Sequence, residues 1–483
     1  MVAQLVVKRP HSKAKGIEVT DRSMSREFRL TAIATLVHLP LGLALYNAGP
    51  FAILHPLLVF GLGLVLAANR KVSASNVVLV AGYIVGSEVL WRMAHIPIYW
   101  ESGKYMSAAI LALTMFRRRR FRIPRVPAGY FIFLLPGCLI SIANSSLSHA
   151  YEDLSFNMSG PFLLLLACWF FHNVRMQPIQ LRRLIIAILL PLFSVAATNL
   201  VLAASNQEIQ FTSESNFATS GGFGPNQVSS MLGLGVFLAT AGLILFERRS
   251  RYGVYFAISA LSMAALSVMT FSRGGIYNAA GGILALTIFN FREIAAGIRR
   301  VIPAFILAAL FVLVIFPYLD SLTDGALEDR FEDTGTTNRW EIMQADLDVF
   351  LNQPIWGAGV GESRKSRESL SDISAVSHTE HSRLLSEHGI FGLAALFCLA
   401  ILIFNNLKRP NSLLGKGFIA GAFAWSLLFM MNAGMRLAAP SFMIGMAFLT
   451  IVQIRKISRP NVGKIRLIPS DDSRSTDPKA VHS

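Results

Sequence analysis

Charged side chains are scarce in this 483-residue sequence: Asp, Glu, Lys and Arg together make up only 15% of it. Soluble domains carry about a quarter, so a soluble globule is excluded. Cysteine is nearly absent, and Cys138, Cys168 and Cys398 all sit in apolar stretches. That excludes a disulfide framework and a thiolate metal site. The basic amino-terminal stretch is not followed by a short apolar segment with a small-residue cleavage site. The reading is therefore no cleaved signal peptide, with the first span as targeting signal. There is no internal repeat, and no low-complexity tract beyond Arg117 to Arg120, a basic run that reads as an orientation anchor.

What fills the chain instead is apolar: 53% hydrophobic residues and a mean hydropathy of +0.51. Runs of about 17–21 apolar residues recur, each long enough to cross a bilayer as a helix. The spans expected are 30–48, 50–69, 73–91, 101–116, 128–147, 158–174, 184–204, 226–246, 252–270, 274–291, 301–319, 390–407, 417–434 and 437–454. The fold class is thus an all-α polytopic membrane protein with about 14 transmembrane helices (12–14) and one long extracytoplasmic loop containing short helices. Span 101–116 is the least regular, because it opens on Glu101 and Lys104.

The net charge of +16 would suggest nucleic acid in a soluble protein. In a membrane protein it reflects Lys and Arg on cytoplasmic loops, and no nucleic-acid partner is expected. Basic clusters at Arg70-Lys71, Arg117 to Arg125, Arg175 to Arg183, Arg248 to Arg251, Arg292 to Arg300, Lys408 to Lys416 and Arg455 to Arg459 occupy every second connection. Both termini are then cytoplasmic. The organisation read is a basic tail (1–29), a transmembrane bundle (30–319), an extracytoplasmic loop (320–389), C-terminal helices (390–455) and a disordered tail (456–483). The loop holds fourteen of the twenty-eight Asp and Glu residues against six Lys and Arg, so it is acidic where the chain is basic.

Within that loop, Asn338 and Glu341 have the spacing of a capping box. Trp340, Met343, Leu347, Phe350 and Leu351 recur at helical spacing. That stripe packs on the bundle or lies in the membrane interface, and Asn352-Gln353-Pro354 ends the helix. Gly357, Gly359 and Gly361 read as a flexible turn rather than a phosphate cradle. Arg339, at the helix start, is either half of an anion site or a surface ion pair. Arg273 lies between two spans on the face otherwise poor in Lys and Arg, which makes it a functional candidate. His378 and His381 have a spacing compatible with one metal ion, yet no His-Glu-x-x-His and no converging carboxylate accompany them. General base is the better reading for His378, with Glu380 beside it to orient the ring. His381, Arg383 and His388 belong to the same cluster.

The pattern resembles the O-antigen ligase and O-antigen polymerase superfamily, bacterial membrane glycosyltransferases. Four features carry the resemblance. His378 and Thr379 are followed after nine residues by Gly389 and Gly392. Ser272-Arg273 stands at a helix junction. Arg339 leads to Pro354-Ile355-Trp356-Gly357-Ala358-Gly359. A Gly224-Pro225-Asn226-Gln227 turn enters a span. Thr379 departs from the usual pattern, in which Asn, Ser or Gln is commoner. The resemblance implies metal-independent, inverting transfer of a glycan from undecaprenyl pyrophosphate to an acceptor hydroxyl on a glycan or lipid A-core, in the inner membrane. It makes His378 the base and Arg273 and Arg339 the pyrophosphate ligands. Glu380, His381, Arg383, Gly389, Gly392 and Asn226 are supporting candidates, and no cofactor is implied. The alternative reading is a polyisoprenoid-glycan flippase without chemistry.

Overall fold

A computed structural model of the chain describes residues 13–118, 122–205, 214–246, 250–290, 294–333, 335, 339–371, 373–375, 377–408 and 413–452. Nearly all of these residues are helical. The first half contains α1 (Lys13–Asn47), α2 (Leu54–Ala68), α3 (Ala74–Met93), α4 (Ser102–Arg118), α5 (Arg125–Asn144), α6 (Leu147–His172) and α7 (Pro178–Ser205). Next come α8 (Pro225–Leu245), α9 (Arg251–Val268), α10 (Gly274–Asn290) and α11 (Ile294–Leu310). Through a π-helical turn, α11 continues into α12 (Phe316–Ser321). The loop contributes α13 (Ala326–Glu332), α14 (Arg339–Asn352) and α15 (Ser363–Ser371). The chain then runs through α16 (Glu380–Lys408), α17 (Leu413–Ala433) and α18 (Ala438–Met446).

Eleven helices among the described residues are long and apolar enough to cross a membrane. The expected spans 274–291, 101–116 and 437–454 are realised differently. The first is a shorter apolar helix over Gly274–Phe289. The second, α4, has a fully buried Lys104 in its first turn. The third is the nine-residue α18, followed by a turn and a two-residue strand, Thr450–Ile451, which pairs in parallel with Arg175–Met176. Residues 13–29, expected as a tail, begin helix α1, and 453–483 lie outside the described residues.

The helix α8 is the axis of the bundle, with 94% of its apolar stretch buried, whereas Val301–Ser321 is only 6% buried and stands at the rim. Pro225 opens α8 at its first turn, where its missing N–H costs nothing. The connections sort to two ends. At one end, Arg118 bonds Val72 O, Arg122 N bonds Asn173, Gln180 bonds Ser75, and Arg182 and Arg183 pair with Glu27. The α13–α15 loop, the α3–α4 turn and the α17–α18 turn meet at the other.

Candidate functional site

The turn between α9 and α10 sets the first wall of the site. Phe271 is fully buried with φ +55°, a left-handed conformation that a bulky residue adopts only when its surroundings hold it there. Its carbonyl accepts from Arg330 Nε at 2.9 Å. Ser229 Oγ on α8 donates to Ser272 O at 2.8 Å and accepts from Gly275 N at 3.2 Å, while Ser272 Oγ donates to Asn226 Oδ1 at 2.8 Å. These bonds anchor Arg273 to the start of α8.

Arg273 donates to the backbone carbonyls of Asp333 and Gly335, the second at 2.7 Å, and its Nη2 is 3.9 Å from Asp333 Oδ2. Arg339 donates to the side-chain amide oxygen of Asn432 at 3.0 Å. With Arg330 they line a cavity of about 540 Å³, which also touches Asn226, Trp340, Thr379 and Asn432. Three arginines against the single carboxylate of Asp333 leave its charged lining at a formal +2. Burial, and then the charges of Arg273 and Arg330, lower the pKa of Arg339. Burial and Arg273 act on Arg330 in the same sense. Guanidinium stays protonated regardless, so the arginines repel one another across a space suited to an anion.

Asn226 and Asn432 also line a neighbouring cavity of about 210 Å³, together with Gln227, His378 and Arg436. His378 is half-buried. Burial first, then Arg436, Arg339 and Arg367, push its pKa down to about 4. Its ring is therefore neutral near pH 7, the state in which a ring nitrogen accepts a proton.

The backbone around His378 is held by a buried network that the sequence did not disclose. Asp346, fully buried on α14, pairs with the equally buried Arg367 of α15. Its carboxylate also accepts from Ser377 at 3.1 Å, Ser382 at 2.6 Å and Ser386 at 3.4 Å. Arg367 further donates to Ser377 Oγ at 2.7 Å and to Ala375 O, and Arg436 donates to Ser377 O at 3.0 Å. The buried face of α14 is Ile342, Ala345, Asp346 and Val349. The expected packing stripe is thus turned outward, with Trp340, Leu347 and Leu351 exposed and Trp340 and Met343 facing the larger cavity. Asn338 lies outside the described residues.

Glu380 does not turn to His378. Its carboxylate pairs with Arg383 and accepts from Met435 N at 3.1 Å, and Arg383 also pairs with Glu387 at 2.6 Å. His381 is half-buried one helical turn along. His388 is fully enclosed against α5, where a side chain at Gly137 would collide with its ring.

The glycines Gly389 and Gly392 lie packed closely against backbone. Gly389 has φ +57° and bends α16. A Cβ there would stand 2.6 Å from Ile355 O, and one at Gly392 would strike Leu384 O. At the bend, Ile390 N donates to Pro354 O, Ala358 N to Ser386 O and Gly359 N to Glu387 O, at 2.8–3.0 Å. The glycine-rich segment after α14 is thus an ordered strap across the bend, neither a cradle nor a free turn.

Among the described residues, the group that brings metal-type ligands together is His149, Asp153 and Glu362. Lys365 Nζ lies 2.9 Å from Glu362 and 3.3 Å from His149, which makes the group an ion-pair network. The residues that sequence reasoning missed are Arg330, Asp346, Arg367, Arg436 and Arg92, whose place is given below. A signal existed for Arg436 and Arg92: like Arg273, they fall, by the expected spans, in connections on the face poor in basic residues.

Residues 258–397 match the family model described as O-antigen ligase. That stretch contains Arg273, Arg339, His378, Gly389 and Gly392, and it supports the O-antigen ligase and polymerase superfamily for this chain. A search of curated proteins finds no match.

Proposed function

We propose that this membrane protein transfers a glycan from a polyprenyl-pyrophosphate donor to an acceptor hydroxyl. The observation that carries the reading is the pair of adjoining cavities. One is lined by Arg273, Arg330 and Arg339, the other by His378, and they share the walls Asn226 and Asn432. In the proposed step, His378 takes the proton of the acceptor hydroxyl as its oxygen attacks the anomeric carbon. The bond from that carbon to the phosphate oxygen breaks, and its electron pair leaves on the pyrophosphate. A single displacement inverts the anomeric centre. The arginines stand where negative charge develops, and fixed cations there lower the barrier more than water would. The charge is carried by side chains, so the step is written without a metal and without a cofactor.

An apolar groove of about 540 Å³ between α8, α9, α10 and α11 supports the lipid part of the donor. Ile276, on its wall, lies one turn along α10 from Arg273. A polyprenyl tail there would leave its pyrophosphate at the arginines. The site end then faces the periplasm, the basic end and both termini lie in the cytoplasm of a bacterial inner membrane, and the acceptor is another glycan or a lipid A-core.

The test is a transfer assay in detergent with undecaprenyl-pyrophosphate glycan and each candidate acceptor. The variant His378→Ala is expected to lose ~10²–10⁴-fold in rate while still binding donor, and chelators are expected to change nothing. A His378→Ala protein with wild-type transfer would remove the base from the mechanism. Activity abolished by EDTA and restored by zinc would replace the mechanism.

A further inference from the structure

The first four helices hold a polar cluster outside the matched region. Glu88, Arg92, Glu101 and Lys104 are all at most 6% exposed. Arg92 Nη2 donates to Glu88 at 2.8 Å, Lys104 pairs with Glu101, and Ser159 bridges the latter two. Ionised groups buried in a membrane bundle are costly and concentrate where substrates pass.

Two bonds tie this cluster to the site. Arg92 Nη1 donates to Gln227 Oε1 at 3.1 Å, and Gln227 lines the His378 cavity. Glu88 Oε2 accepts from Ala438 N at 2.6 Å, two residues after Arg436. Above the cluster lies a third cavity of about 200 Å³, with Arg92, His95, Tyr99 and Trp100 in its lining. Trp100 is 49% exposed and stacks one face on the Arg92 guanidinium, 4.6 Å from the ring centre. Arg92 Nε is buried and has no hydrogen-bond partner among the described residues. His95 is held at φ +48°.

Aromatic residues at a membrane surface commonly anchor in the headgroup layer. Trp100 differs in resting on a buried cation hydrogen-bonded to the site. An aromatic face beside buried hydrogen-bonding groups suits a sugar ring, which offers an apolar C–H face and polar hydroxyl edges. The cation cavity shares walls with the His378 cavity, and the Arg92–Gln227 bond joins the lining of the latter to that of the aromatic one.

We propose that the cavity under Trp100 is a carbohydrate subsite that holds a sugar of the acceptor, next to the hydroxyl presented to His378. The identification of that sugar as the acceptor's rests on the transferase reading. The subsite gives the N-terminal helices a part in selecting the acceptor.

The test compares Trp100→Leu, which keeps apolar bulk without a ring, with Trp100→Phe, which keeps a ring. The probe is the oligosaccharide freed of lipid from the host's own surface glycolipid, titrated calorimetrically into purified protein. The intact glycolipid serves as acceptor in the transfer assay. The Leu variant is expected to bind the probe about tenfold more weakly and to raise the acceptor KM by the same factor. Its kcat and donor KM are expected to stay within about twofold of wild type. The Phe variant is expected to recover most of the loss. A monodisperse Leu variant with unchanged acceptor KM and binding overturns the proposal, as does a wild type that shows no saturable binding. A wild type with the Leu–Phe contrast in binding but no transfer supports the subsite and overturns the transferase reading instead.

Discussion

Arginine is used in two opposite ways at the same end of this bundle. Arg367 and Arg383 are buried against carboxylates, Asp346 for the first and Glu380 and Glu387 for the second. Arg273 and Arg339 are met chiefly by neutral oxygens, two backbone carbonyls and the amide of Asn432. The first kind is neutralised within the protein and holds backbone in place. In the proposed mechanism the second kind keeps its charge for the donor pyrophosphate. Position in the loop does not separate the two; the partner does.

The strongest way to break the comparison is at Asp346. The variant Asp346→Ala leaves Arg367 charged and unpaired in the interior, which costs about 3–5 kcal/mol. It is expected to abolish recoverable folded protein, read by gel filtration of the detergent extract. Well-folded Asp346→Ala with normal activity would show that the network is not structural. The variant Arg339→Ala should behave oppositely: normal yield, with transfer reduced ~10²–10³-fold. The variant Arg339→Lys should recover little of the loss, because a point charge replaces a planar fork. Low yield of Arg339→Ala would move it into the structural class.

A subtler effect is expected from pH. The depressed pKa of His378, about 4, puts the acid limb of the rate profile near pH 4. Activity should hold from pH 7 downward and fall only as the ring protonates. The variant Arg436→Ala removes the largest of the charges acting on His378 and should move that limb toward 6.5. The same group makes stability pH-dependent. Its folded pKa lies below the unfolded value, so its contribution is whole above pH 6.5 and is lost as pH falls toward 4. An acid limb already at 6.5 in wild type would mean that the ring is neither buried nor surrounded by cations. Least affected should be Lys365→Ala. Its side chain is 63% exposed, so water screens its pair with the largely buried Glu362, and such a pair is worth about 0–1 kcal/mol. A melting point within error of wild type is expected.

The all-helical membrane architecture was legible because a bilayer imposes its thickness on sequence as apolar runs. Arg273 was legible because it stands on a face poor in cations, Arg339 because it opens a helix where a cation opposes the dipole, and His378 because its residue type suits proton abstraction; the structure gathers them at adjoining cavities. Asp346 was not. In a loop with fourteen carboxylates, Asp346 is turned inward by Arg367 and three serines, partners that local spacing does not reveal. Of the two fates read for the apolar stripe of α14, packing on the bundle is not realised, because the buried side is lined partly by a carboxylate, which an apolar stripe does not count. Glu380 sits two residues from His378 yet answers to Arg383 and Met435. The shortness of α18 escaped because hydropathy records apolarity, not where a chain turns back.

The buried tetrad of α3 and α4 bears on how the chain is made. Glu88 meets Ala438 only after hundreds of further residues have been synthesised. Until then this hairpin must reside in the membrane with four titratable groups and no finished bundle around it. Its two acids and two bases already face one another within the hairpin, so it carries no net charge into the bilayer on leaving the translocon. It is expected to insert as a self-neutralised pair and to wait, and the late arrival of α18 on Glu88 would then complete assembly of the site.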